Sequence, residues 1–568
     1  MFSRKEILQA AAAACLSTAS TNSRAVPNSP LPPGTVKTIR IASNSADQSR
    51  RASEIVANRI LKRSNVTIVR TGSAALIIEL GIDPTITAGG FQVAQKSASH
   101  IQILGSNPSG LTAGCGKFLR TSRFHSEGFA PSEWQGTSVP ACQMRGIYLA
   151  THFANWYEAA PIAEVEEYLA DLALWGVNTI TVTFGRWHYP SFDNPAAAES
   201  IQRLNILLKA ARAVGLKVMM ITNPTEGFNT TPKELLAIPV PDALGRRGHF
   251  GVNLCASKPE SRALIVANFR RLLREFSTSG LDYVDFWPYD EGGCGCPDCW
   301  PWGAKGYPNL CKELSQVARK QFPHIKVALS TWMFDTPDAG EWEGLTQLLA
   351  RDKSWLNFIQ ADSHEDFPRY PLEHGVPGGL PLINFPEISM WGQNPWGGYG
   401  ANPLPARFQR LWNQTERKLS GGFPYSEGIY EDINKAICTQ LYWSPDKPAS
   451  ETVKEYVAYE YSPEVVDSVA RAIEIMETNH QRKQIGPSAA DALMLMEEAD
   501  LKLTPQARTG WRWRILYLRA VIDAEMLRTG GNLTGPKLKS AFEELTKIYR
   551  AENSHSMPIH PPVVKDVV

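Results

Sequence analysis

Net charge is what this sequence has least of: 58 Lys+Arg stand against 57 Asp+Glu, leaving +1 over 568 residues. No block of like charge offsets that balance, so the chain presents no global field for nucleic acid and no polybasic or acidic tail. Nor does it hold eighteen uninterrupted apolar residues, which excludes a membrane-spanning helix. Cysteine is scarce, nine in all, although four of them crowd into one short stretch. Against these absences stand a 43% hydrophobic content, 42 Gly, 40 Pro and sixteen Trp. Such a composition belongs to a folded chain of several domains and not to a disordered or fibrous one. The tryptophans exceed the needs of a core this size, and a cleft lined by amphipathic rings is one use for the surplus. A carbohydrate is therefore a candidate partner.

Residues 1–30 read as an export signal and linker. Ser3-Arg4-Lys5-Glu6-Ile7-Leu8 precedes an apolar stretch from Ala10 to Leu16, a degraded twin-arginine pattern that implies a periplasmic or extracellular protein. Residues 36–135 alternate β-rich runs (38–42, 66–70, 75–80 and 100–104) with two helical stretches (50–62 and 110–119), a small α/β domain closed by a loop over 128–140.

From Met144 the pattern becomes strand, loop, helix, repeated. Apolar strand seeds lie at 145–149, 179–184, 217–222, 283–287, 326–331, 357–360, 380–385 and 421–425. Between the first two, Ile162, Val165, Tyr168, Leu169 and Leu172 recur at helical spacing, and Gly176 is placed to end that helix. No Gly-rich dinucleotide or phosphate loop follows the first strand. Eight units over residues 140–445 thus predict a closed (β/α)8 TIM barrel and not an open doubly wound sheet. Residues 450–550 carry helical apolar stripes and form a C-terminal helical domain.

In such a barrel the loops after the strands make the active face. Strand four runs into Trp287-Pro288-Tyr289-Asp290-Glu291, where aromatic walls can desolvate a carboxyl and raise its pKa as a general acid requires. Glu291 is the candidate acid. Glu387 after strand seven and Glu427 after strand eight are candidate second carboxylates for glycoside hydrolysis. Glu427 also precedes a helix with Glu431 and Asp432, where acidic residues suit the macrodipole without any catalytic duty. Candidate substrate contacts are Arg145, Arg186, Trp187, His188, Trp287, Tyr289, Trp332, Asp362, Trp391 and Trp396. Arg145, at the start of strand one, fits an interior ion pair equally well.

Cys294, Cys296, Cys299 and Cys311 fall within eighteen residues. They suit a structural zinc site, two disulfides or free thiols, and either bonded form would stiffen the loop after strand four. Four thiolates leave no open position for catalysis. Cys115 and Cys142 could pair across the domain junction.

The segments 103–105, 110–119, 139–140 and Met144-Arg145-Gly146-Ile147-Tyr148-Leu149, together with Asp290-Glu291, resemble the family 20 hexosaminidases and the related α-glucuronidases. The four-cysteine loop, Asn253-Leu254-Cys255-Ala256-Ser257-Lys258-Pro259-Glu260 and the helical tail are similar to bacterial relatives of the α-glucuronidase group. The resemblance implies an exo-acting glycoside hydrolase needing no cofactor for catalysis. It implies Glu291 as acid and Asp290 as the group that polarises a substrate 2-acetamido nucleophile. The alternatives are an α-glucuronidase-like enzyme, whose substrate carboxylate Arg186, His188 or Arg145 would have to meet, and a carbohydrate-binding protein without turnover.

Overall fold

In the computed structural model, the structure describes residues 34–43, 47–239, 252–288, 293–335, 340–389, 399–480, 485–553 and 560–565. The export segment and the site candidates Tyr289, Asp290, Glu291, Trp391 and Trp396 lie outside the described residues.

The eight apolar seeds become eight parallel strands: Met144–Leu149, Thr179–Thr183, Lys217–Thr222, Tyr283–Phe286, Lys326–Ser330, Phe358–Ser363, Leu382–Pro386 and Leu419–Gly422. Each pairs with the next. The eighth closes on the first, with Gly421 opposite Met144 and Gly422 opposite Arg145. A short continuation, Tyr425–Ser426, pairs with Tyr148 and Leu149 and carries the closure up to the C-terminal mouth. Alternate residues face opposite ways, as strand geometry dictates. Val284 and Phe286 join the core beneath the outer helices, whereas Tyr283 joins the barrel interior with Met144, Met219, Ala328 and Phe423.

Close packing fixes where glycine is needed. A Cβ on Gly146 would lie 2.0 Å from the Phe423 ring, so the Arg-Gly pair of strand one leaves the space that Phe423 fills. Gly176, with φ +100°, turns the chain after helix Ile162–Leu174, whose Val165, Tyr168, Leu169 and Leu172 are buried. The residues that predicted this helix are those that pack it.

The N-terminal domain is a six-stranded mixed sheet backed by helices Asp47–Arg63 and Pro108–Thr121. It holds strands beyond those the sequence predicts. Phe91–Ser97 pairs antiparallel with His100–Gly105, and Gly136–Ser138 pairs with Phe91–Ser97 inside the segment read as a loop. Phe91–Ser97 offers only Phe91 and Val93 to the core and Gly136–Ser138 buries nothing fully, so neither shows a strong apolar period.

Among the described residues five longer helices lie in the C-terminal region: Ala449–Glu460, Val466–His480, Ala489–Lys502, Trp511–Arg528 and Pro536–Tyr549. They pack on the barrel through polar as well as apolar contacts. Arg519 is fully buried, pairs with Asp523 at 3.0 Å and donates to the Ala401 carbonyl at 2.7 Å. Among the described residues no helix is long and apolar enough to cross a membrane.

Gly146→Ala places a methyl group inside the volume of the Phe423 ring. The expected cost is ~1–3 kcal/mol or more from overpacking, read as a lower thermal midpoint, with Gly146→Ala/Phe423→Leu recovering part of the loss.

Candidate active site

The C-terminal ends of the strands enclose a connected aromatic floor. Trp287 stacks on Trp332 with centroids 5.4 Å apart and lies 4.6 Å from Phe385. Phe385 in turn meets Tyr148 at 5.8 Å and Tyr425 at 5.6 Å. His152, just beyond strand one, stacks on Tyr148, and its Nδ1 lies 3.2 Å from the Tyr148 hydroxyl. Burial, reinforced by His188, pulls the His152 pKa down to about 3, so this imidazole stays neutral at working pH.

Two carboxyl groups stand over this floor on adjacent strands. Glu387 immediately follows strand seven and bridges to Tyr425. Its Oε1 accepts the Ser389 N–H at 2.6 Å and also the Ser389 hydroxyl, while His364 Nε2 lies 3.8 Å from its Oε2. These donors favour an ionised carboxylate. Ser389 is fixed from behind: its carbonyl accepts Asn402 Nδ2 at 3.1 Å, and Asn402 Oδ1 accepts Arg519 Nη1 at 2.8 Å.

Glu427 has the opposite surroundings. Oε1 accepts the Tyr425 hydroxyl at 2.9 Å, but buried Oε2 has no hydrogen-bond partner among the described residues. Burial, and then the neighbouring Glu387, push its pKa up to about 8 against the opposing Tyr425 hydrogen bond. The loop is held by the Glu427 N–H, which donates to Glu431 Oε1 at 2.9 Å, and by the Tyr549 hydroxyl, which donates to the Glu427 carbonyl. The duties of the three acids therefore separate. Asp432 accepts from Arg512 at 2.8 Å and Tyr456 at 2.6 Å, Glu431 holds the Glu427 N–H and lies 3.8 Å from the Lys435 ammonium, and Glu427 is the one of the three set beside Glu387.

Other predicted contacts divide. Trp287, Trp332, Trp187, His188 and Asp362 lie at the mouth end of their strands. Asp362 accepts the His364 N–H at 2.7 Å, a turn that presents His364. Trp187 stacks on His188 at 3.7 Å, and His188 donates to the His152 carbonyl at 2.8 Å. The two arginines are corrections. Arg145 lies at the far, N-terminal end of the barrel, where its guanidinium donates to the carbonyls of Gly176 and Cys142, both at 2.8 Å, and stacks on Trp443. Arg186 is 1% exposed and donates to the carbonyls of Glu226 at 2.9 Å and Asn223 at 2.7 Å. With the Glu226 carboxylate 3.5 Å away as well, it joins the loops after strands two and three.

The cysteine set is also corrected. The sulfurs of Cys255, Cys294, Cys296 and Cys299 lie within 4.8 Å of one another. Cys311 is not among them, because it points into the core from helix Gly306–Gln321. No two of the described cysteines are joined in a disulfide, neither within this cluster nor between Cys115 and Cys142.

Three further residues escaped the sequence reading. Tyr425 and His152 directly follow or end strands, a signal that was available. Asp285 was not visible: it sits within an apolar strand core and turns inward by strand parity, where burial pushes its carboxyl well above the usual range.

No family model matches the chain, and no curated protein matches its sequence. Solved structures share its fold. One is a family GH115 4-O-methyl-α-glucuronidase with specificity for decorated arabinogalactans, at 11% identity and TM-score 0.60, covering 92% of this chain and 77% of that one. Another is a family 89 glycoside hydrolase from Clostridium perfringens in complex with GlcNAc-α-1,4-galactose, at 11% identity and TM-score 0.58, covering 88% and 64%. A third is a GH20 exo-β-N-acetylglucosaminidase from Vibrio harveyi, at 11% identity and TM-score 0.50, covering 75% and 74%. At these identities what is shared is the architecture of a barrel with flanking domains.

Glu427 generates a stability prediction with a definite sign. Its folded pKa of about 8 exceeds the ordinary 4.5, so between those values the unfolded chain has released a proton that the folded chain keeps. Stability then falls as pH rises across that window and levels off above it. Glu427→Gln removes this dependence. Its thermal midpoint is expected to match the parent near pH 4.5 and to exceed it by a few degrees at pH 8, measured by calorimetry across the range.

Proposed function

We propose that the protein is a glycoside hydrolase that uses two carboxyl groups. The observation that carries this reading is the contrast at the mouth. Glu387 is supplied with donors and Glu427 is deprived of them, above an aromatic floor suited to the C–H face of a pyranose ring. Keeping Glu427 neutral leaves Glu387 as the charged member of the pair, the form a nucleophile or base requires.

Glycoside hydrolysis needs a proton donor and a second carboxylate on opposite sides of the scissile bond. Glu387 and Glu427 stand on neighbouring strands, so they serve the same side. Strand four lies across the barrel from them, and Glu291 follows its last described residue, Pro288, by three positions. We therefore assign the donor role to Glu291, which passes its proton to the glycosidic oxygen as the bond to the anomeric carbon breaks. Glu387 acts on the anomeric carbon as nucleophile or through a water as base. Glu427, kept neutral, spares Glu387 a second negative charge. The depth of Glu387 and Glu427, each more than nine-tenths buried, supports action at a chain end.

A neutral or 2-acetamido sugar suits the site better than a uronic acid. Of the three residues that would meet a uronate carboxylate, Arg145 lies at the other end of the barrel and Arg186 is spent on loop carbonyls. Only His188 is left, and burial lowers its pKa. Substrate assistance by Asp290 is the second reading, and its mark is indifference to Glu387.

The test is hydrolysis of aryl glycosides carrying neutral, 2-acetamido or uronic sugars by the wild type, Glu291→Gln and Glu387→Gln. Each substitution is expected to lower kcat/KM by ~10²–10⁴-fold. Undiminished activity in Glu291→Gln removes it as donor. Full activity of Glu387→Gln on 2-acetamido substrates alone favours the Asp290 reading. Binding of the sugars with no turnover on any of them points to a non-catalytic binder. On any productive substrate, activity is expected to fall above about pH 8 as Glu427 ionises, and Glu427→Gln should extend that alkaline limb.

A further inference from the structure

Beside the mouth, the segments after strands three and four meet in a second buried cluster with no part in the chemistry above. Cys255 arrives after strand three, while Cys294, Cys296 and Cys299 arrive after strand four. The Cys294 and Cys255 sulfurs are 3.5 Å apart, and those of Cys255 and Cys296 are 3.9 Å apart. These spacings discriminate between chemistries. A disulfide brings two sulfurs to about 2.05 Å, whereas four sulfurs each about 2.3 Å from a zinc ion form a tetrahedron with edges of about 3.8 Å.

Hydrogen-bond donors converge on the sulfurs. The Ser257 hydroxyl lies 3.1 Å from the Cys255 sulfur and 3.3 Å from that of Cys296. Backbone N–H groups of Ser257 and Lys258 are directed at Cys255, and those of Cys296 and Ile238 at Cys294. Donors aimed at sulfur stabilise its charged form and orient it toward a cation. The backbone is shaped to match. The N–H groups of Cys299 and Trp300 both donate to the Cys296 carbonyl, at 3.0 and 2.8 Å, in a turn that sets Cys296 beside Cys299. Gly293 adopts φ +71° where a Cβ would lie 2.2 Å from Trp302. All four cysteines are buried, which shields a bound ion from exchange.

We propose that Cys255, Cys294, Cys296 and Cys299 bind one zinc ion as four thiolates in a closed tetrahedral site. With every position filled by sulfur the ion has no place for water or substrate, so its role is structural. It clips the chain after strand three to the chain after strand four, three residues beyond Glu291. The proposal holds independently of the hydrolase reading, since its readout is metal content.

The test is elemental analysis of the purified full-length chain, with cobalt replacement followed by visible absorption. One zinc per chain, released by an organomercurial thiol reagent, and the spectrum of tetrahedral cobalt–thiolate are expected. Cys255→Ser is expected to lose the zinc while Cys311→Ala keeps it. Should Cys255→Ser fail to fold, the stoichiometry and cobalt spectrum of the wild type decide alone. Wild-type protein that carries no zinc after refolding in its presence overturns the proposal. So do stoichiometric iron in its place, a disulfide among the four by mass spectrometry, or loss of zinc in Cys311→Ala with retention in Cys255→Ser.

Discussion

Two carboxyl groups held close together away from water cannot both carry charge at modest cost, and the mouth of this barrel is organised around that constraint. The chain does not share the penalty evenly. Ser389 gives Glu387 a backbone and a hydroxyl donor on one oxygen, while Glu427 receives a single phenol and keeps one buried oxygen bare. The proton settles where the donors are missing. That asymmetry follows from the closure of the barrel, since the bridge from Glu387 to Tyr425 and the pairing of Tyr425 with Tyr148 set the two side chains on one rim.

The C-terminal helices are part of the same arrangement. Arg519, buried against Asp523, reaches Asn402, which holds the Ser389 carbonyl, which leaves the Ser389 N–H and hydroxyl free for Glu387. Tyr549 holds the loop of Glu427 by its carbonyl. Asn434 ties these lines together, donating to the Asn402 carbonyl at 2.6 Å and accepting from the Leu404 N–H at 2.9 Å. A buried Arg–Asp pair is weak evidence of stability in itself, because desolvation offsets much of its attraction. Its role here is better described as fixing a register between the helical domain and the loop after strand seven.

Much of this was legible in the sequence because strand periodicity is local. Eight apolar runs gave the barrel, and reading the first acidic residue beyond each run found Glu387 and Glu427. The errors arose where the signal is tertiary. An arginine at a strand end reads the same whether its guanidinium faces a ligand or a backbone carbonyl, and both Arg145 and Arg186 chose carbonyls. Cys311 stood near its presumed partners in sequence but lies on a helix face that points elsewhere. Cys255 lies 39 residues from Cys294 and meets it only because strands three and four are neighbours. Asp285 was hidden for a third reason, since strand parity turns one polar residue of an apolar run inward and periodicity does not reveal which residues it will meet.

The helical domain and the cysteine cluster lie on opposite sides of the mouth, and this division bears on how the loops that carry the candidate groups are held in place. Helices Val466–His480, Trp511–Arg528 and Pro536–Tyr549 brace the loops after strands seven and eight, through the carbonyls and side chains that surround Glu387 and Glu427. The cysteine cluster brings the chain after strand three against the chain after strand four, and the proposed zinc would make that meeting a brace. Pro288 and Gly293, the described residues that flank Glu291 in sequence, are both buried. Loops carry function in such folds because they are free to vary, and the same freedom costs precision unless something else restrains them. In this chain a helical domain supplies the restraint on one side and the proposed zinc site on the other, while the aromatic floor from Trp287 to Tyr425 spans the distance between them.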